Sequence, residues 1–189
     1  MISSVRILRT LAVALVASPL AAHAGDRDGA HDFDFDFGRW NVHMQRLENP
    51  LTGSRNWFEM DGTVDVKKIW DGKANLAEVE ADGGPKGHLE ILALRLYDPQ
   101  AHQWSINFAG SSVGTFGVPL VGTFKDGRGE FYDQEPYNGR VIWIRFAMFP
   151  TGANSARSEQ AFSADDGKTW EINWINTYTR DETQKASTN

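Results

Sequence analysis

Most of the chain after residue 38 alternates apolar and polar side chains with a period of two, which is the pattern of β-strands with one buried face. Trp40, Val42 and Met44 alternate with polar neighbours, and a second segment, residues 104–108, repeats the pattern. No stretch of ten residues shows a convincing apolar stripe at helical spacing. The sequence therefore predicts strands over residues 40–45, 64–70, 76–81, 89–97, 104–108, 129–135, 140–149, 156–163 and 169–178.

Short turn sequences separate these segments. They include Asp126-Gly127, Asn138-Gly139 and Asp166-Gly167, whose residues tolerate the positive φ of two-residue hairpin turns. Because short connections force neighbouring strands to be antiparallel, the chain is expected to form an all-β, up-and-down sheet of nine or ten strands. Closing such a sheet into an antiparallel barrel removes its open edges, and a β-sandwich is the main alternative. Gly62 is expected to kink or bulge one long strand.

The two ends of the chain differ from its middle. Residues 1–24 carry an Arg-containing start, an apolar run and an Ala-His-Ala motif, which together predict a secretory signal peptide cut before Gly25. The mature protein is therefore expected in the periplasm or outside the cell, with no membrane insertion after cleavage. Residues 25–38 are predicted to plug the barrel, and residues 39–180 are predicted to form it. Within the barrel, residues 110–122 are a loose connection that could act as a lid. Residues 181–189 are predicted to be a polar tail.

Composition narrows the possible functions. The chain has no Cys, which excludes a disulfide scaffold, a thiolate metal site and a Cys nucleophile. A net charge of −6 argues against a general nucleic-acid binder. The 12% aromatic and 41% hydrophobic residues argue against disorder.

Two motifs favour structural roles. The segment from Ser163 to Trp170 matches the Asp-box pattern S-x-D-x-G-x-T-W, in which the Asp caps turn amides and the Trp packs beneath. It occurs once here, so it indicates a stable hairpin and not a glycosidase. Alternating carboxylates at residues 32–36 fail the glycine and glutamate positions of a calcium loop. No His pair has a zinc-site spacing, so no metal site is predicted.

The candidate ligand-binding site consists of polar residues that occur within otherwise apolar predicted strands. Arg145 lies in an otherwise apolar strand, so it is expected either to form an ion pair or to point into a wet cavity. Its predicted lumen partner is Glu130 or Glu171, although a structural ion pair or a solvent-facing Arg remain alternatives. The full set of candidate lumen residues is Arg145, Glu130, Tyr132, Gln134, Trp143, Glu171, Asn173 and His43. No catalytic residue is assigned.

The segment 31–42, with its aromatic-acidic run followed by Phe37-Gly38-Arg39-Trp40, resembles a bacterial family of unknown function. The motifs at 69–72, 129–132 and 166–170 are also similar to that family, and the likeness spans most of residues 31–180. Members look like lipocalin-type or nitrobindin-type barrels, so the resemblance implies a calycin-like barrel of about ten strands. Nitrobindin barrels hold haem through a C-terminal His. This chain has no His after His102, and no cofactor is expected.

These observations favour an exported barrel that binds a small lipophilic or amphiphilic ligand. The first alternative is an enzyme that uses the same cavity, with Glu130 as a general acid or base if burial raises its pKa. A second alternative is a closed, filled barrel that acts through its surface. The oligomeric state is not predicted.

Overall fold

The computed structural model describes residues 28–183, which form a closed barrel of ten antiparallel strands. Each strand pairs with its neighbours in sequence, and pairing between the first and last strands closes the barrel. The prediction of an all-β up-and-down barrel is confirmed, and the sandwich alternative is wrong. The strands are β1 Gly38–Leu47, β2 Trp57–Ile69, β3 Ala74–Gly83, β4 His88–Asp98, β5 Gln103–Gly110, β6 Leu120–Lys125, β7 Arg128–Tyr137, β8 Arg140–Gly152, β9 Ser155–Ser163 and β10 Glu171–Arg180.

The hairpin turns follow the chemistry that their residues allow. Asp126 and Gly127 between β6 and β7 both have positive φ, of 51° and 79°. Asn138 and Gly139 between β7 and β8 repeat this conformation. Consecutive residues with positive φ match the right-handed twist of the flanking strands, so these dipeptides fix the pairing of their hairpins.

Strand β6 differs from the prediction. Residues 120–122 belong to this strand, so the loose connection covers only residues 111–119. The sequence does not predict this strand because Gly122 lies within it and glycine generally weakens strands. Here glycine is required: a Cβ at this position would lie 1.9 Å from the carbonyl oxygen of Glu130.

Of the kink or bulge predicted at Gly62, the bulge is wrong. The register of β2 runs without interruption past Gly62 against both β1 and β3. A Cβ there would lie 1.9 Å from the carbonyl oxygen of Glu80, so close approach of two strands explains this glycine. The register shifts instead between Ile172 and Trp174 and between Pro150 and Gly152.

The Asp-box hairpin joins β9 to β10 as its motif predicts. Asp165 accepts hydrogen bonds from the backbone N–H and the hydroxyl of Thr169, at 2.9 and 2.6 Å. These bonds, together with one from Ser163, lower the pKa of Asp165 to about 2. Trp170 donates its indole N–H to the carbonyl of Gly167 at 3.0 Å. The motif therefore holds the turn together, as the structural interpretation requires.

One end of the barrel is filled by the N-terminal plug (residues 28–37), which contains a 3₁₀ helix over Asp34–Asp36. Phe33 is completely buried and contacts the rings of Trp104, Phe124 and Phe131 at centroid distances of 4.9–5.7 Å. Edge and offset packing of four aromatic rings gives this half of the barrel a continuous core.

Polar contacts fasten the plug to the barrel wall. Asp36 forms a buried ion pair with Arg95 of β4, whose guanidinium also lies 4.6 Å from the Phe33 ring. Trp40 donates its indole N–H to the carbonyl of Asp36 at 2.8 Å, and Trp104 donates to that of Gly29 at 2.9 Å. Arg180 of β10 also donates to the carbonyls of Phe35 and Phe37, so four strands hold the segment in place. The two tryptophans and Arg180 satisfy carbonyl groups of the plug.

The predicted signal peptide and its cleavage position lie outside the described residues, as do residues 184–189 of the predicted tail. Within residues 28–183, no helix is long and apolar enough to cross a membrane.

Candidate functional site

Most of the predicted lumen residues face outwards, so their predicted orientation is corrected. On β7, Gly129, Phe131 and Asp133 are buried and point inwards, which places the alternating Glu130, Tyr132 and Gln134 on the outer face. On β8 the inward residues are Ile142, Ile144, Phe146 and Met148, so Trp143 and Arg145 also face outwards. The prediction fails because β8 carries apolar residues on both faces, so the apolar pattern does not identify the inward one.

The outward residues still form a connected cluster. Arg145 lies directly opposite Tyr132 across the β7–β8 pair. Its guanidinium stacks on Trp170 of the Asp-box hairpin, 4.8 Å from the ring centroid, and Tyr132 contacts the same ring at 6.0 Å. The predicted lumen pair of Arg145 with Glu130 is wrong: both residues lie on the outer face, the ion-pair partner of Glu130 is Arg128, and the charge of Arg145 only helps to lower the pKa of Glu130.

Glu130 lacks the properties of the expected general acid. Burial by itself would raise the pKa of this carboxyl. Hydrogen bonds from Arg128 at 2.9 Å and from the Tyr132 hydroxyl at 2.8 Å outweigh burial and lower it. The pKa therefore moves away from neutrality, opposite to the shift on which the enzyme alternative for Glu130 depends.

The other three predicted residues lie apart from this cluster. Glu171 accepts a 2.6 Å hydrogen bond from the backbone N–H of Leu51 and so ties the loop 48–56 to the start of β10. Asn173 is buried at the bulge of β10. His43 alternates with the buried Val42 and Met44, faces outwards and lies 2.8 Å from Asp61. The eight predicted residues do not form one site.

The lumen at the end opposite the plug is only partly filled. Side chains that point inwards there are partly exposed although the sheet around them is closed, so solvent reaches them through the open mouth. They are mainly apolar or aromatic: Leu51, Phe58, Val79, Leu89, Ile91, Phe108, Tyr137, Phe162 and Trp174. An apolar concave wall closed at one end and open at the other is the usual form of a small-molecule site.

Asp133 is the most perturbed acid of this lumen. It points inwards between Phe131 and Glu135 on β7 and is 7% exposed. Neither carboxyl oxygen has a hydrogen bond of normal geometry within the described part of the chain. Burial, followed by the charge of Glu135 and an interaction with its carboxyl, raises the pKa of Asp133 to about 7. The sequence signal for Asp133 is its phase with Phe131, on the face of β7 opposite to the one predicted to line the lumen.

Two further polar groups face the lumen from β10. The indole nitrogen of Trp174 and the side-chain oxygen of Asn176 are buried without a hydrogen-bond partner among residues 28–183. The amide nitrogen of Asn176 is occupied, since it donates to the Ser158 hydroxyl at 2.9 Å. Buried polar atoms without partners are uncommon in folded proteins, and each requires an explanation such as a bound molecule or water.

Arg46 lies nearer the open mouth. It stands next to Trp174 in the β1–β10 pairing, and its guanidinium is 4.3 Å from the Trp174 ring centroid. The side chain reaches solvent through the mouth, but the protein around its guanidinium lowers the pKa of Arg46 by desolvation. The mouth therefore combines a cation with the aromatic wall.

Two clefts lie at the open end, and each is lined in part by residues that also face the lumen. One, of about 430 Å³, lies between the loop 111–119 and strands β3 and β4, where the outward-facing Glu78, Glu90 and Leu92 line it together with the inward-facing Val79 and Ile91. The other, of about 290 Å³, lies between Leu51 and the Asp-box hairpin. Over residues 28–183, no group of three or more His, Asp or Glu side chains is arranged to hold a metal ion.

Solved structures similar to this chain are β-barrels. The S-type phycobiliprotein lyase CPES from Guillardia theta superposes with a TM-score of 0.56 at 11% identity, over 84% of this chain and 96% of the lyase. A redesigned β-barrel, mFAP1, bound to DFHBI gives a TM-score of 0.43 at 9% identity, over 82% of this chain and 100% of that barrel. EF1p2_mFAP2b bound to DFHBI gives 0.45 at 8% identity, over 81% and 99%.

These likenesses concern the fold alone, because the sequence identities are low. No family model matches the chain. No curated protein matches its sequence either. The closed ten-stranded barrel that the resemblance implies is present in the structure, whereas the calycin-like type and membership of the bacterial family of unknown function stay predictions.

Proposed function

We propose that this protein binds a small, mainly apolar molecule in the open half of its barrel. One observation carries the proposal: inward-facing aromatic and aliphatic side chains at the end opposite the plug are reached by solvent inside a closed sheet. Burying such surface against a ligand contributes roughly 25 cal/mol per Å², so the open wall supplies affinity without a specific polar contact. The similar barrels bound to DFHBI are too distant to add to this argument.

The compartment belongs to the same proposal. The predicted signal peptide supports export of the mature chain to the periplasm or the exterior. Fractionation of cells that express the full chain tests this point. An intact mass matching a start at Gly25 in the periplasm or medium would support export, and an uncleaved chain in the cytoplasm would contradict it.

Binding is tested with the neutral dye N-phenyl-1-naphthylamine, whose fluorescence rises in apolar surroundings. Saturable binding at one site per barrel is expected. A matched pair of variants on β4 then locates the dye, because Leu89 faces the lumen and Leu92 faces outwards into the 430 Å³ cleft.

Leu89→Trp fills the open lumen and is expected to weaken dye binding at least tenfold, whereas Leu92→Trp leaves it within twofold. The reverse result would assign binding to the outer cleft and overturn the proposed site. Failure of the unmodified protein to bind this dye or any other member of a lipophile panel, with no small molecule found by mass spectrometry of the purified protein, would overturn the function.

Catalysis in the same lumen is the second candidate, and one observation favours it. A carboxyl with a pKa near 7 can donate and accept a proton at neutral pH, and Asp133 is such a group. The test is mass spectrometry of bound ligand before and after incubation with the unmodified protein or with Asp133→Asn. Conversion that needs Asp133 would establish an enzyme, and unchanged ligand with both proteins would exclude this candidate.

A further inference from the structure

Three buried polar groups in the lumen have unused hydrogen-bonding capacity. The indole N–H of Trp174 can only donate, and the free side-chain oxygen of Asn176 can only accept. The carboxyl of Asp133 is 7% exposed and has neither oxygen in a hydrogen bond of normal geometry. The inference below rests on the proposed function, since it concerns the molecule that occupies this lumen.

The barrel geometry brings the three groups to a similar depth. Directly paired residues on successive strands form rows around the barrel. The row that starts at Phe131 on β7, beside the plug, reaches Trp174 on β10 and ends beside the loop 48–56 at the open end. Rows therefore rise towards the mouth from β7 to β10, as strand tilt in a closed barrel requires. Asp133 is the next inward-facing residue above Phe131 on β7, and Asn176 is the next inward-facing residue below Trp174 on β10. The rise of the rows from β7 to β10 compensates for these two steps, so the three groups lie at a similar depth.

The lumen wall between these groups is mainly apolar. The inward residues of β8 and β9 between Asp133 and Trp174 are Ile144, Phe146, Phe162 and one amide, Gln160, which pairs with both Phe146 and Trp174. A ligand that spans the three polar groups therefore needs an apolar body and polar substituents at its edges.

The charges of the site indicate what those substituents are. Asp133 and Glu135 face the lumen at the β7 side. Because the pKa of Asp133 is raised to about 7, this carboxyl is largely protonated at pH 6, and the repulsion that an anionic group meets there comes from Glu135. The lumen cation Arg46 stacks on Trp174 near the mouth, and neither oxygen of Asp133 has a hydrogen-bond partner of normal geometry among residues 28–183. A neutral hydroxyl or amide group can accept from Trp174, donate to Asn176 and exchange hydrogen bonds with Asp133.

We infer that the lumen selects a neutral, hydroxyl- or amide-bearing apolar molecule, which hydrogen-bonds to Trp174, Asn176 and Asp133, over a carboxylate of the same skeleton. An uncharged ligand of this type satisfies all three groups, whereas a plain hydrocarbon leaves them without partners, at a cost. Discrimination of this kind depends more on unpaired buried groups than on the area of contact.

The test compares three probes with one skeleton: naphthalene, 2-naphthol and 2-naphthoate. Affinities for the full-length mature protein are measured by calorimetry at pH 6, where the naphthol is neutral and the naphthoate is ionised. We expect 2-naphthol to bind at least tenfold more tightly than naphthalene and than 2-naphthoate.

Variants assign the preference to its residues. Trp174→Phe removes the indole N–H but keeps an aromatic wall, and it is expected to reduce the naphthol-to-naphthalene ratio at least threefold. Trp70→Phe is the matched control, because Trp70 is 71% exposed and far from this site, beside the plug-end connection between β2 and β3. Circular dichroism checks that both variants remain folded.

The possible results distinguish failure of this inference from failure of the proposed function. Equal affinities for the three probes, or tighter binding of 2-naphthoate, would overturn the inference and leave lumen binding intact, with water then satisfying the polar groups. An unchanged naphthol preference in Trp174→Phe would remove Trp174 from the site and overturn the inference as stated. No binding of any probe, together with no binding of the neutral dye, would overturn both the inference and the proposed function.

Discussion

Replacing Asp133 by Asn tests the burial of the lumen carboxyl through the pH dependence of stability. Asn keeps the shape of the side chain but cannot ionise. In the folded protein the pKa of Asp133 is raised to about 7 from 3.8. Between these two values the unfolded chain loses the proton and the folded chain keeps it, so the free energy of unfolding falls as pH rises. The stability cost of the acid is absent well below pH 3.8 and complete above about pH 7.

The size of the effect follows from the shift. One pKa unit corresponds to about 1.4 kcal/mol, so a shift of about three units destabilises the folded protein by roughly 4 kcal/mol at pH 8. Part of this cost is already present at pH 5, and water that enters the open lumen reduces it further. We therefore expect the stability of Asp133→Asn relative to the unmodified protein to increase by about 2 kcal/mol between pH 5 and pH 8.

Urea denaturation at pH 5, 6, 7 and 8 measures this difference. Using the change between pH values cancels any constant cost of placing an amide in the lumen, provided that the urea m-values agree. Asp126→Asn is the matched control, since it removes an exposed acid from a turn in which Asn is equally suited to positive φ. The control should show no change with pH relative to the unmodified protein.

A flat difference between Asp133→Asn and the unmodified protein from pH 5 to pH 8 would refute the reasoning. It would mean that Asp133 ionises in the folded state as it does in the unfolded chain. The carboxyl would then be hydrated or paired, and the lumen around it would be wetter than its burial indicates. The inference that a neutral ligand group meets Asp133 would lose one of its three contacts.

Three further results are expected. Asp36→Ala should destabilise the protein by about 3–5 kcal/mol in urea denaturation, because Arg95 would stay buried without its partner; a loss below about 1 kcal/mol would mean that the plug is not held by this pair. Asp165→Asn should lower the Tm at pH 7 but much less at pH 2, because the pKa of Asp165 is lowered to about 2 and its stabilisation is lost as pH falls towards that value; scanning calorimetry at both pH values decides. Glu130→Gln should leave dye affinity within twofold, since Glu130 lies on the outer face, and a tenfold loss in a folded variant would contradict that orientation.

The presence and pairing of the strands could be predicted from the sequence, but which face of each strand points into the lumen could not. The period of two and the Asp-Gly and Asn-Gly turns predicted a closed antiparallel sheet, because both signals are local. The same period cannot say which of its two phases faces inwards when both carry apolar residues, as on β8 with Ile144 inside and Trp143 outside. A one-residue error in phase therefore moved Glu130 and Arg145 from the outer wall to the lumen.

The polar groups of the lumen were missed for a related reason. Asp133, Trp174 and Asn176 are unremarkable in sequence, since each occurs in a strand beside other polar or aromatic residues. What distinguishes them is burial without a partner, and burial arises only when strands distant in sequence close around them. The ion pair between Asp36 and Arg95, 59 residues apart, has the same origin.

By itself, the sequence determined the all-β class, the antiparallel connectivity, the hairpin turns and the Asp-box corner. These depend on alternation and on backbone preferences within a few residues. Only the tertiary structure decided which face of each strand lines the lumen, which end the plug seals and which carboxyl is held near neutral pKa. Those properties depend on ring closure and desolvation, and both are set by contacts between strands that are far apart along the chain.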